Sequence, residues 1–428
     1  MIVEWSENMK KEFKIFLFVV LIIWILLCIV LVLIRIEARG RLPHYHSQSD
    51  DGTFSTAFIR ESHKSMKKQN YMISPYSVEI ALSMLREGSA GDTLKEIEAV
   101  APKRNIKTLS VKNRVNVSNA LFVKDIYKQD VRDTYYSLMD EEYNADVIYD
   151  SFESPDKINR WVKNETNGMI DKVVDSVSSD FVMALANAVA MEEDWMIPFE
   201  CERTKSTPFT KVDGKIMNVS MMYNNYEDTV SYYQGDGVEG VILPYQSYYR
   251  NTGEKIDDGE QLEFIGLMPD DIDQYIENFD LDEVKNISKN SRMAGSNLEI
   301  SVGLPRFEYD YSFGKFKETL GNMGIQSVFG AGADLSNMLD NHDAYVNDAV
   351  HKTYVKVNET GTKAAAVTYF GVKDTAMPME EKEYVSVIFN KPFVFMIKDT
   401  KSNEILFFGV VYQPEKWNEN HSCKGEVK

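Results

Sequence analysis

Ser74, Ser77 and the distant His351 are the residue types of a hydrolytic nucleophile and its base. Both serines, however, stand beside a helix start with no oxyanion-hole glycine motif, so capping and core hydrogen bonding are their expected work. No GxSxG elbow, HExxH, CxxC or phosphate loop occurs. Gly330-Ala331-Gly332 comes nearest to a dinucleotide fingerprint, but Leu335 stands where the third glycine belongs. His44 and His46 lie two apart with no cysteine or third histidine nearby, so a solvated tether is expected there and not a metal pair. No catalytic residue, metal or cofactor is expected, and the chain is not read as an enzyme.

The element that organises the chain is residues 357–397. From Thr362 onward every second residue (Thr362, Ala364, Ala366, Thr368, Phe370) is small or apolar, while Lys363 and Tyr369 fall between them, which is the pattern of a strand with one buried face. It runs directly into Gly371, Lys373, Asp374, Thr375 and Met377 to Lys382, a polar run with a proline and no periodicity, which reads as an exposed loop. A segment written both as a strand and as the stem of a loop is a candidate for two conformations.

This stretch resembles the hinge and reactive loop of a serpin. The family pattern is glutamate, a variable residue, glycine, threonine, a variable residue and then small residues. Glu359, Gly361, Thr362, Ala364, Ala365 and Ala366 fit it; Thr360 and Lys363 depart from the usual charged residues. Asn390 to Ile397 resembles the C-terminal signature. Asn70–Ser77, Ala81–Met84 and Gly88, Ala90, Gly91 and Thr93 resemble the N-terminal core motif, in which Ser77 is read as capping a helix from Val78 that ends at Gly88. Ser118–Val123 resembles a strand of the large sheet, Ile158–Ile170 a helix with Met169 in place of a lysine, and Leu185–Phe199 the next strand with Met191 and Asp194 departing. Val238–Tyr245, Leu262–Met268 and Leu298–Phe307 are further strands, and the match extends through Leu320–Asp334 to cover roughly 51 to 417.

What the resemblance implies is an α+β serpin fold: a large mixed central β-sheet, further sheets, about eight or nine helices and an exposed reactive loop. It also implies a shutter network of Ser74, Ser77, Asn187 and His351 beneath the sheet, with Trp195 near the breach where the loop enters. Loop cleavage by a protease, ester trapping and insertion of residues from Thr362 on as a new strand would follow. About a dozen new backbone bonds at about 1 kcal/mol net each, with the buried face, put the drop on the order of 10 kcal/mol, so the active fold is kinetically trapped. Family spacing from Glu359 places the reactive bond at Thr375-Ala376, which favours an elastase-like or subtilisin-like serine protease. Lys373-Asp374 would suit a trypsin-like enzyme, and Met377-Pro378 is disfavoured by its proline. The alternative is a serpin-fold binding or scaffold protein that has lost inhibition; the small residues at Thr362 and Ala364–Ala366 argue against it.

The chain of 428 residues, 44% hydrophobic, can bury a large core, and its net charge of −19 argues against nucleic acid or heparin-type activators. Ile15 to Ile34 is uncharged and almost wholly aliphatic or aromatic, and no small-x-small site follows it. It reads as an uncleaved transmembrane anchor, with secretion after signal cleavage as the rival. Lysines and arginines on both flanks leave orientation open by charge alone, and an inhibitor of external proteases belongs outside the cytoplasm. The expected organisation is a tail (1–14), anchor (15–34), linker (35–52), serpin domain (53–417, with hinge and reactive loop 358–389) and tail (418–428), as a monomer. Of the three cysteines Cys28, Cys201 and Cys423, one sits inside the apolar run, so no disulfide framework is expected and stability has to come from packing. Asn116, Asn164, Asn218, Asn286, Asn358 and Asn420 begin glycosylation sequons. A glycan on Asn358 would sit at the hinge, which favours a host without N-glycosylation.

Overall fold

The computed structural model describes residues 53–103, 115–143, 145–177, 181–191, 193–246, 262–340, 344–362 and 382–418. The anchor, linker, His44, His46, Cys28, Lys363 through Glu381 and Cys423 lie outside the described residues. Among the described residues no helix is long and apolar enough to cross a membrane.

Eight α-helices and three sheets make up the described residues. The central sheet has the order Asp146–Asp150, Val115–Lys124, Met183–Met191, Asp348–Val357, with Phe307–Ser312 on the far side of Asp348–Val357. Its two middle strands, Met183–Met191 and Asp348–Val357, run parallel and pair from Asp348↔Ala184 to Thr353↔Val189. Strict alternation makes the second of them half-buried: Ala349, His351, Thr353, Val355 and Val357 point inward, and Lys352, Tyr354 and Lys356 lie on the other face. The same period of two is visible in the sequence from Ala349 to Val357.

A second sheet carries Leu262–Pro269 between Phe393–Asp399 and Val238–Pro244, nearly continuous apolar runs whose residues are buried on both faces. The third has the order Glu383–Ile388, Leu298–Pro305, Ile216–Tyr226, Lys205–Thr210. Beneath the sheets lie the helices Thr53–Met66, Pro75–Gly88 and Phe316–Met323, where Phe58 packs against Phe54, Phe313 and Phe316.

Two expectations are corrected. The helix starts at Pro75, not Val78, and Ser74 is its cap: the Ser74 hydroxyl accepts from the Ser77 N–H at 3.3 Å. Proline at the first helical position, where its missing N–H costs nothing, explains the earlier start. Secondly, Cys201 is disulfide-bonded. Packing is therefore not the whole of the fold's support, since the absence of a disulfide framework does not exclude a single bond.

Candidate functional site: the sheet fork and the polar cluster beneath it

Above Thr353 and Val189 the two middle strands part, and the hinge enters the fork. Gly361 and Thr362 form a short strand that is antiparallel to both sides: Thr362 pairs with Val357, while Gly361 and Thr362 pair with Asp194 and Glu193. The chain reverses between Val357 and Gly361 because Asn358 Oδ1 accepts from the Thr360 N–H, Thr360 hydroxyl and Gly361 N–H, and the Asn358 N–H donates to Gly361 O at 3.0 Å. Gly361 is required by proximity, since a Cβ there would stand 2.1 Å from the backbone oxygen of Glu193. Thr362 is 3% exposed, and its hydroxyl shares a 2.7 Å hydrogen bond with Tyr245.

Three aromatic and two charged groups hold this turn. Trp195, 1% exposed, stacks on Tyr245 with centroids 4.8 Å apart and meets Phe264 edge-on. Its indole N–H donates to Asn358 O at 2.9 Å and its backbone N–H to Thr360 O at 2.8 Å. Glu359 is 5% exposed, and Arg306 meets its carboxylate with two guanidinium nitrogens while Thr204 donates its hydroxyl to the same group. A buried carboxylate so paired is satisfied, and removal of Arg306 would leave its charge uncompensated.

Deeper in the sheet, Ser74, Ser77, Asn187 and His351 do come together. Ser77 donates its hydroxyl to Asn187 Oδ1, and Asn187 Nδ2 donates to Ser77 O at 3.2 Å and to Asn119 Oδ1 at 2.8 Å. The Ser74 backbone N–H donates to His351 Nε2 at 3.1 Å, which fixes the tautomer: Nδ1 carries the proton and donates to Asn187 Oδ1 at 2.9 Å. Burial pushes the His351 pKa down to about 3, so the ring is neutral. No acid–base pair reaches either serine hydroxyl, so the cluster is a set of saturated cross-links between helix Pro75–Gly88 and the two middle strands, not a hydrolytic triad.

Trp195, Glu359, Gly361 and Thr362 thus gather at the fork. Ala364, Ala365, Ala366, Lys373, Asp374, Thr375 and Ala376 lie outside the described residues. Arg306, Thr204 and Tyr245 were missed as hinge partners, and Asn119 as part of the polar cluster. Asn119 is directly opposite Asn187 on the neighbouring strand, and an asparagine between the apolar residues of Met183–Met191 was the available signal for a polar partner across the pair. Among the described residues no group of three potential ligands could hold a metal.

A family model described as Serpin (serine protease inhibitor) matches residues 49–414. The chain is 30% identical to the leukocyte elastase inhibitor of Sus scrofa over 389 residues, 84% of this chain and 97% of that protein. It is 28% identical to that of Homo sapiens over 374 residues, 81% and 93% of the two chains. Among solved structures, the thermophilic serpin tengpin in its native state aligns with a TM-score of 0.71 and 27% identity, over 85% of this chain and 95% of that one. A forked central sheet that has taken in the start of its hinge, together with a family match across most of the chain, establishes that this protein belongs to the serpin family.

Proposed function

We propose that the chain is an irreversible suicide-substrate inhibitor of a serine protease and has no enzymatic activity of its own. The observation that carries the reading is the fork: two parallel middle strands meet directly below Val189 and Thr353, and above them Gly361–Thr362 is already paired antiparallel to both sides. Continuing the hinge downward would replace one parallel ladder with two antiparallel ones, a downhill exchange once cleavage frees the loop. The polar cluster links the same two strands by groups that can find new partners as they separate. An elastase-like target is supported by Thr375 at the family spacing and by the names of the relatives, which are leukocyte elastase inhibitors.

The apolar run 15–34 tethers the inhibitor to a membrane in this reading, with the serpin domain outside the cytoplasm. The disulfide at Cys201 fits an oxidising compartment on that side. To test the reading, the full-length chain in detergent is mixed with elastase, subtilisin and trypsin. An SDS-stable complex and a new N-terminus at Ala376 are expected with an elastase-like or subtilisin-like enzyme. Cleavage within 363–381 with no complex from any of the three would instead favour a serpin-fold binding protein. Carbonate-resistant retention of the full chain in membranes tests the tether, and release into the soluble fraction would sink it.

A further inference from the structure

The helix Thr53–Met66 is fastened in its last turn by His63, a fully buried side chain that bridges two other elements. One ring nitrogen, Nε2, lies 3.1 Å from Asp273 Oδ1 in the short helix Ile272–Glu277, and the other, Nδ1, lies 3.0 Å from the Tyr71 hydroxyl in the strand Tyr71–Ile73. A carboxylate only accepts, so Nε2 carries the proton and Nδ1 is left to accept from the phenol. Both partners are themselves held. Tyr412 donates its hydroxyl to the same Asp273 oxygen at 3.0 Å, and Tyr309 donates its hydroxyl to Tyr71 O at 3.0 Å. Two further links run from this end of the helix, Arg60 to Phe279 O at 3.0 Å and Lys67 to Glu277 at 2.6 Å. Among these groups only the imidazole has an ordinary titration range near neutral pH. The inner face of the helix carries Phe58, which meets Phe316 edge-on, and the Phe316 ring centroid stands 5.6 Å from that of His351.

We propose that His63 is an acid-operated bolt: at neutral pH it locks the end of helix Thr53–Met66 between Tyr71 and Asp273, and its protonation frees that helix from the body of the domain. The added proton goes to Nδ1, the open ring nitrogen. Two donors, Nδ1–H and the Tyr71 O–H, then face each other, and the phenol has to turn its hydrogen away. The Tyr71 hydroxyl has no other hydrogen-bond partner among the described residues, so a buried donor is left unsatisfied. Burial is the largest influence on the ring and lowers its pKa below the ordinary 6.5; Asp273 opposes the shift, Lys67 adds to it and Glu277 opposes it. The remaining titratable groups around the cluster are the phenols of Tyr71, Tyr309, Tyr311 and Tyr412, which burial keeps protonated. A histidine whose folded pKa is lowered takes up its proton first in the open state, so closure is complete above pH 6.5 and is lost as pH falls from there toward the folded value. Opening takes Phe58 off Phe316, the ring that neighbours His351.

Amide exchange of the full-length chain in detergent, corrected for the intrinsic pH dependence of exchange, compares opening of residues 53–66 with that of the central strand Met183–Met191. Between pH 7 and pH 5 the opening constant of 53–66 should rise by about tenfold in wild type, since one extra proton bound in the open state changes it by up to about tenfold per pH unit. His63→Gln keeps a donor for Asp273 and an acceptor for Tyr71 but cannot take up the proton, so its opening constant should stay within about twofold over the same range. Tyr71→Phe removes the hydroxyl that protonation strands and should flatten the rise to about threefold or less, a change of slope that a purely structural role for the phenol would not produce. Equal rises in wild type and His63→Gln overturn the bolt. A rise in Met183–Met191 as large as that in 53–66 means that the whole domain opens together, and overturns it as well. Should His63→Gln fail to fold, the slope of Tyr71→Phe decides, and a rise equal to that of wild type overturns the proposal. None of these readouts depends on protease inhibition.

Discussion

His351 makes the strand pairing sensitive to acid. Its ring is neutral in the fold because burial holds its pKa near about 3, against 6.5 for an exposed histidine. The unfolded chain therefore binds the proton first as pH falls: native stability is complete above pH 6.5 and drains toward pH 3 by about 1.4 kcal/mol per unit. Wild type should lose about 2 kcal/mol between neutral pH and pH 5 from this residue alone, and His351→Gln should lose that much less, read from urea unfolding midpoints. His63, whose pKa burial also lowers while Asp273 at 3.1 Å opposes the shift, titrates in both proteins and cancels in the comparison. Identical pH profiles for the two proteins would falsify the assignment of a buried neutral ring. The same residue illustrates what a sequence shows and hides: a histidine and serines invite a hydrolytic reading, and only the direction of each hydrogen bond reveals a closed cross-link.

At the scale of the element, the hinge strand depends on two positions with different demands. Gly361 is needed because the neighbouring backbone leaves no room for a Cβ, and Thr362 because its side chain is enclosed and bonded to Tyr245. Thr362→Arg should abolish the SDS-stable complex while leaving the loop cleavable, since a guanidinium cannot be buried in the enclosed site that Thr362 fills beside Tyr245, and insertion would lose its starting point in the fork. The measurement is the ratio of complex to cleaved inhibitor on a denaturing gel, expected to fall by about tenfold or more. An unchanged ratio means that the inward face of this strand does not carry the mechanism. The strand-like pattern read from Thr362 on has only its first residue, Thr362, among the described residues. The seating of Gly361 and Thr362 in the fork was not legible, because it depends on Trp195, Tyr245, Arg306 and Thr204, which are remote in sequence and meet only there.

For the whole molecule, the proposed strand insertion predicts that cutting the loop makes the protein more resistant to heat, an unusual outcome for a backbone break. Limited proteolysis within 363–381 should raise the midpoint of thermal unfolding by about 10 °C or more, as expected when stabilisation on the order of 10 kcal/mol is added to a large domain. Superimposable melting curves before and after cleavage would mean that no energy is held in the loop. The scale of the effect would follow from topology, because one inserted strand would pair on both sides over its full length and bury its inward face at the centre of the sheet.

By itself the sequence carried the resemblance to the family in its motifs, and it showed the strand-like pattern from Thr362 on and the apolar run near the N-terminus, because motif, composition and period are local properties carried by neighbouring residues. Tertiary structure alone decided that Gly361 and Thr362 are already seated, that Arg306 and Thr204 hold Glu359, that Asn119 completes the polar cluster and that Cys201 is bonded. Each of these joins residues far apart along the chain, and such encounters are fixed by the packing of sheets and helices as a whole, which no local spacing encodes.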